Sequence, residues 1–244
     1  MRQTLSYNIH NILRFRIVRN KSYGFRDLIN LKFPYFRVDK IDNPDIILNI
    51  GKFTPSNEGC YLIDHKYYVK ENYFYCQESE GKARWEVEII GIEQGNTIIN
   101  FNLHTSLGFE PFINPDLLPQ VMLLKIIEYK LSQKGYFVLH SAAVSQDNQA
   151  YLLCGRGSSF KTSLCMDFDA IPTVALLGDD RVILHQDKVL GLFMHPSLFQ
   201  FMTEHLSDET SFRLWDKVHY VWHLFRKDYK ITRQEVNPVK LRAL

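Results

Sequence analysis

The chain lacks any long apolar run. Its longest, such as "DIILNIG", fall far short of the roughly 18 residues that a membrane-spanning helix needs, so no membrane partner is expected. The opening stretch "MRQTLSYNIHNILRFRIVRN" also lacks the unbroken apolar core of a secretion signal, and the expected compartment is the cytoplasm. An excess of one charge is missing too. Lys and Arg number 29 against 27 Asp and Glu, a net of +2, which gives no electrostatic reason to expect nucleic acid. Cysteine is sparse: Cys60, Cys76, Cys154 and Cys165 form no CxxC pair, which argues against a zinc or dithiol signature and leaves separate thiols in a reducing compartment. There are no repeats and no low-complexity linker. What is present, 45% hydrophobic and 23% charged residues over 244 positions, suits a globular chain of one large or two small domains. The oligomeric state is open, and a homo-oligomer fits as well as a monomer.

Residues 1–112 read as β-rich. "RFRIVRN", "YFRVDK", "DIILNIG" and "KYYVKENYFYCQ" alternate or cluster β-branched and aromatic residues between polar breaks. In "RWEVEIIGIEQGNTIINFNLH", Trp85, Val87 and Ile89 alternate with charges, Glu93 to Asn96 makes a turn, and the pattern resumes at Ile99. Nothing catalytic stands out in this half. Its tyrosines, Tyr67, Tyr68, Tyr73 and Tyr75, are expected to serve sheet packing. The register changes in "FINPDLLPQVMLLKIIEYKLSQKG". Asn114 or Asp116 can cap a helix, Pro119 fits its first turn, Leu123, Leu124, Ile127 and Leu131 share one face, and Gly135 stops it. Two short strands follow, "YFVLHSAAV" and "AYLLC", joined by the polar turn "SQDNQ". Beyond them come a short helix, the strand "TVALL", a hairpin "RVILHQDKVLGLF", and an amphipathic helix at about 208–226 with Phe212, Trp215, Val218, Trp222 and Phe225 on its apolar side. The polar tail "KDYKITRQEVNPVKLRAL" is expected to be a solvated end.

The chemistry concentrates in "LLCGRGSSFKTSLCMDF", residues 152–168. A phosphate-binding loop needs small residues that turn successive backbone N–H groups inward, a lysine for the β- and γ-phosphates, and a hydroxyl for Mg2+. Gly155, Gly157, Ser158, Ser159, Lys161 and Thr162 supply these between an expected strand and helix, where the helix dipole favours anions. Phe160 stands where such loops carry a second glycine. Asp179 and Asp180 end an apolar strand, Asp179 lying 18 residues after Lys161, at a spacing that suits a metal ligand and a base. His140, in "LHSAAV", lies on a strand 21 residues before Lys161.

These three stretches together resemble the HPr kinase/phosphorylase family and the related nucleotide fold of phosphoenolpyruvate carboxykinases. In that group a strand bearing a Leu-His pair precedes the loop, and a Gly-Asp-Asp or Ala-Asp-Asp strand end follows it. The resemblance covers roughly residues 118–195; Phe160 departs from it, and the N-terminal half takes no part. It implies an α/β fold, an HPr-kinase/PEP-carboxykinase-like P-loop core in a kinase domain at 113–244, with a β-rich accessory domain at 1–112. It also implies ATP and Mg2+ as cofactors. Gly155, Arg156, Gly157, Ser158, Ser159, Phe160, Lys161, Thr162 and Ser163 would contact the nucleotide, and Thr162 and Asp180 would hold the metal. Asp179 would accept the proton of the attacking hydroxyl, with His140 beside the aspartates and Arg181 or Arg156 near the transferring group. The implied activity is an ATP-dependent kinase acting on a hydroxyl of a peptide, protein or small molecule. The competing reading is a nucleotide-binding module that works through a partner without catalysis.

Overall fold

The structure, a computed structural model, describes residues 2–20, 33–80, 83–104, 119–156, 161–169, 171–193 and 237–242. The amphipathic helix expected at about 208–226 lies outside them. The chain divides into two compact units, residues 1–29 with 36–134, and residues 30–35 with 135–244. Among the described residues no helix is long and apolar enough to cross a membrane.

The first unit is a nine-stranded sheet. Its strands are β1 (Arg2–Ile9), β2 (Leu13–Asn20), β3 (Arg37–Val38), β4 (Ile46–Ile50), β5 (Tyr61–Ile63), β6 (Tyr67–Lys70), β7 (Tyr73–Glu80), β8 (Ala83–Ile90) and β9 (Thr97–His104), and the spatial order is β3-β1-β2-β4-β9-β8-β7-β6-β5. Positive-φ residues set the tight turns: Asn72 between β6 and β7, and Gly91 after β8. Gly91 admits no side chain, because a Cβ there would meet the Asn96 carbonyl oxygen at 2.6 Å. The centre, β2-β4-β9, is parallel, and the outer pairs are antiparallel. Alternation puts Phe15, Ile17, Ile46, Leu48, Ile99, Phe101, Val87 and Ile89 in the core. Helix α1 (Pro119–Gln133) contributes buried Leu123, Ile127 and Leu131, and ends before Gly135 at φ +78°, the left-handed position that glycine accepts freely. Lys134 ties its end down, donating to the Ile12 carbonyl at 2.7 Å and to Asp45 at 2.8 Å. Tyr73 and Tyr75 are buried, and Tyr68 rests against Tyr75 with ring centroids 5.6 Å apart.

The second unit overturns the α/β P-loop core expected from the sequence. It is a seven-stranded mixed sheet of β10 (Phe137–Leu139), β11 (Ser141–Gln146), β12 (Gln149–Cys154), β13 (Val174–Gly178), β14 (Arg181–His185), β15 (Lys188–Phe193) and β16 (Val239–Leu241), in the order β10-β14-β15-β16-β12-β11-β13. One nine-residue helix, α2 (Lys161–Asp169), lies among its described residues. The physical reason is in the connections. Asp147 and Asn148, both at positive φ, close a two-residue turn that forces β11 and β12 antiparallel, and Gln186-Asp187 does the same for β14 and β15. An α/β core needs a helix crossover between successive parallel strands. Among the described residues of this unit only β12-α2-β13 supplies one.

The sheet also turns a corner. β10 and β14 pair antiparallel, as do β11 and β13, yet β10 runs into β11 through His140, and β13 into β14 through Asp179-Asp180. Two chain segments therefore bend together, and register shifts at Ala143/Val144 and at Arg181/Val182 mark the bend. Ala143, Leu177, Val182, Val189, Ala150 and Val239 form one core cluster, while Ala142, Val144, Val174 and Leu176 pack with Cys165 of α2 in a second. β16 belongs to the polar tail expected to be a solvated end. It is instead an interior strand between β12 and β15, with Val239 buried.

Candidate functional site

β12 and β13 both run antiparallel to β11, which lies between them, so they are parallel to each other. Their carboxyl ends, Cys154 opposite Ser141 and Gly178 opposite Ala143, lie at the same end of the sheet. That placement brings the loop, the aspartates and His140 to one corner of the second unit.

After Cys154 the chain continues through Gly155 and Arg156 and re-enters at α2, whose first residue is Lys161. Lys161 Nζ donates to the carbonyls of Gly155 and Arg156, both at 2.9 Å, closing the loop on itself. The first turn of α2 leaves backbone N–H groups at the same place, with the positive end of the helix dipole. Gly157, Ser158, Ser159 and Phe160 lie outside the described residues, as do the side chains of Thr162 and Ser163.

At the corner, the pairings on either side extrapolate to His140 opposite Arg181. Arg181 Nη1 lies 2.7 Å from His140 Nδ1, Asp180 Oδ1 lies 3.2 Å from the same nitrogen, and Arg181 Nη1 is 3.5 Å from Asp180 Oδ1. Asp180 and His140 are partly open to solvent, whereas Asp179 is only 5% exposed. Asp179 lies close enough to α2 for its charge to add to burial in pushing the Cys165 thiol up to about 12. The two neighbouring aspartates thus face different surroundings, one tucked toward the helix and one at the surface with a histidine and an arginine. His140 Nδ1 contacts Asp180.

Ser141 is a residue that sequence reasoning passed over. It is 1% exposed, stands between His140 and the strand-end Cys154, and its Oγ makes no hydrogen bond. A buried hydroxyl without a partner is uncommon. Nothing in "HSAAV" distinguishes it from a packing serine, because its burial depends on the bend.

Among the described residues no group of three or more His, Cys, Asp or Glu side chains is arranged to hold a metal. The available carboxylate is Asp180. That donor set does not suit a metal held by protein alone. It does fit Mg2+, which binds through one or two carboxylates and completes its shell with phosphate oxygens and water. No protein-family model matches this chain, and no significant relative is found among curated proteins.

Proposed function

We propose that this protein transfers the γ-phosphoryl group of ATP to a hydroxyl acceptor, either a serine of a peptide or protein or the hydroxyl of a small molecule. The observation that carries the reading is the convergence of loop lysine, strand-end aspartates, histidine and arginine at one corner of a sheet. In this reading Gly155 to Ser163 cradle the phosphates, and Lys161 exchanges two backbone carbonyls for phosphate oxygens. Thr162 and Asp180 hold Mg2+, Asp179 takes the proton of the acceptor hydroxyl, and Arg181 supports the charge of the transferring group. Phosphoryl transfer asks the protein mainly for positioning and charge neutralisation, which this set of groups supplies. The reading keeps from the HPr kinase/phosphorylase resemblance the order of these groups along the chain, and not its α/β core. One observation favours a second reading, a nucleotide-binding module without catalysis: Asp179 is 5% exposed, which hinders its meeting an acceptor.

Two variants separate the readings. Mg·ATP at about 100 times its Kd stabilises a binding-competent protein by roughly 2.7 kcal/mol, and Lys161→Ala is expected to abolish that gain while leaving the fold intact. Asp179→Asn is expected to keep the stabilisation and to lose transfer, read as labelled phosphate on a serine-peptide library. Stabilisation of the parent without transfer to any hydroxyl selects the module. No stabilisation of the parent by Mg·ATP overturns both.

A further inference from the structure

The middle of the nine-stranded sheet is parallel, and central parallel strands are normally apolar on both faces. Here one face departs from that rule. β4 buries Ile46, Leu48 and Ile50 on the core side and turns Asn49 to the other, where it pairs with Asn100 of β9, which in turn pairs with Glu88 of β8. Glu88 is 2% exposed. Its carboxylate accepts from the Ser56 backbone N–H at 2.7 Å, the Tyr73 hydroxyl at 2.9 Å and Asn100 Nδ2 at 2.6 Å.

This carboxylate gives the ladder a direction. An ionised carboxylate only accepts hydrogen bonds, so Asn100 must turn its NH2 toward Glu88 and its oxygen away. Asn100 Oδ1 then accepts from Asn49 Nδ2 at 2.8 Å. The choice between oxygen and nitrogen is thus settled residue by residue, starting from a charge, for two side chains whose amide ends are otherwise interchangeable. What is left over at the end of the ladder is Asn49 Oδ1, an acceptor, with the second N–H of the same amide.

Asn49 and Asn100 line a cavity of about 280 Å3 beside the carboxyl ends of β2 and β4. In open α/β sheets ligands bind outside the carboxyl ends of parallel strands, and the cavity holds the corresponding place at the parallel β2-β4-β9 centre. Gly51, at φ 148°, turns the chain there and brings Lys52 and Phe53 into the lining, together with Val18 and Arg19. Phe53 is itself held edge-on against Tyr75, with centroids 6.4 Å apart. Among the described residues no acidic side chain lines the cavity, and Lys52 is exposed.

We propose that this cavity binds a small organic acid carrying a hydroxyl or amino group next to its carboxylate. The ligand's donor meets Asn49 Oδ1, its carboxylate meets the Lys52 ammonium and the remaining Asn49 N–H, and its short carbon chain lies against Phe53 and Val18. The cavity's volume accommodates a compact molecule of this kind. The buried Glu88 acts at a distance: it touches no ligand and keeps the asparagine amides turned the productive way. Its lining residues belong to the first unit, and the proposed phosphate loop belongs to the second.

Titration of the full chain with L-lactate, glycolate and L-serine, followed by calorimetry and by NMR of the asparagine side-chain amides, tests this. At least one of the three is expected to bind saturably, and propionate, which lacks the donor, about tenfold more weakly or worse. Asn49→Ala and Lys52→Met are each expected to weaken binding about tenfold, and Lys161→Ala to leave it unchanged. Because Lys52 is exposed, Lys52→Met tests the site even if Asn49→Ala perturbs the sheet. Failure of all three acids to bind overturns the proposal, and so does propionate or inorganic phosphate binding as tightly as the best of them. Binding indifferent to both variants also overturns it.

Discussion

Arg181 Nη1 lies 2.7 Å from His140 Nδ1, and the two residues face each other where a pair of antiparallel strands bends from one part of the sheet into another. A guanidinium has no acceptor, so in this contact the Nδ1 lone pair receives the hydrogen bond and the neutral ring carries its proton on Nε2. Asp180 Oδ1, 3.2 Å from the same nitrogen, can accept a bond from it only when Nδ1 is protonated. His140 thus lies within contact distance of both Arg181 and Asp180, which are themselves 3.5 Å apart.

Under the kinase reading, His140→Ala is expected to lower phosphoryl transfer about tenfold to hundredfold, the range seen when a supporting partner of a functional group is removed. The Mg·ATP-dependent stabilisation is expected to persist. His140→Asn, whose side-chain oxygen accepts from Arg181, should restore part of the rate and His140→Leu none. Equal rates in parent, Asn and Leu variants would show that the contact has no role in transfer.

Thiol chemistry reports on the helix next to Asp179. Cys165 is 0% exposed, and burial, with the Asp179 charge second, pushes its thiol up to about 12; burial also pushes Cys76 up to about 11. Cys154 is exposed at the end of β12. At pH 8 an aromatic disulfide reagent is expected to label Cys154 in the native protein and to reach Cys165 and Cys76 only after unfolding. The sign for stability follows. An unfolded thiol ionises near about 8.5, so above that pH the unfolded state sheds a proton the native state retains. Stability is full below about pH 8.5 and falls as pH climbs toward the native value. Urea midpoints between pH 8 and 10 measure it, and a midpoint that rises over this interval contradicts it.

The third expectation concerns the strand formed by residues 239–241. Val239 is 4% exposed in the core cluster, while Lys240 points outward. Val239→Ala is expected to cost about 1–3 kcal/mol, as a buried large-to-small change does, and Lys240→Ala less than about 0.5 kcal/mol. Removing residues 237–244 takes away a strand hydrogen-bonded on both sides, and is expected to unfold the second unit by circular dichroism. A truncated chain with the parent's spectrum and melting curve would refute the interior placement.

Local signals were legible wherever a decision is made within a few residues. The β8–β9 hairpin, the helix running from Pro119 to its stop at Gly135, and the turn at Asp147-Asn148 follow from periodicity and from which residues tolerate positive φ. The loop lysine and the aspartate pair stood out for the same reason, since residue type and spacing along one stretch carry their chemistry.

Tertiary structure alone decided the rest, because strand partners are chosen across long sequence separations where many pairings satisfy the same alternation. "PVKL" has too few apolar residues to announce an interior strand; its place comes from the gap between β12 and β15. The expected α/β core failed on this point, since motif spacing along the chain is compatible with a mixed, mostly antiparallel sheet as well as with a parallel one. Asn49 and Asn100, 51 positions apart, form a ladder only because β4 and β9 lie side by side. His140 meets Arg181 only because two strands bend together. Each of these contacts gains energy only after the intervening chain has been ordered, and that depends on the whole core.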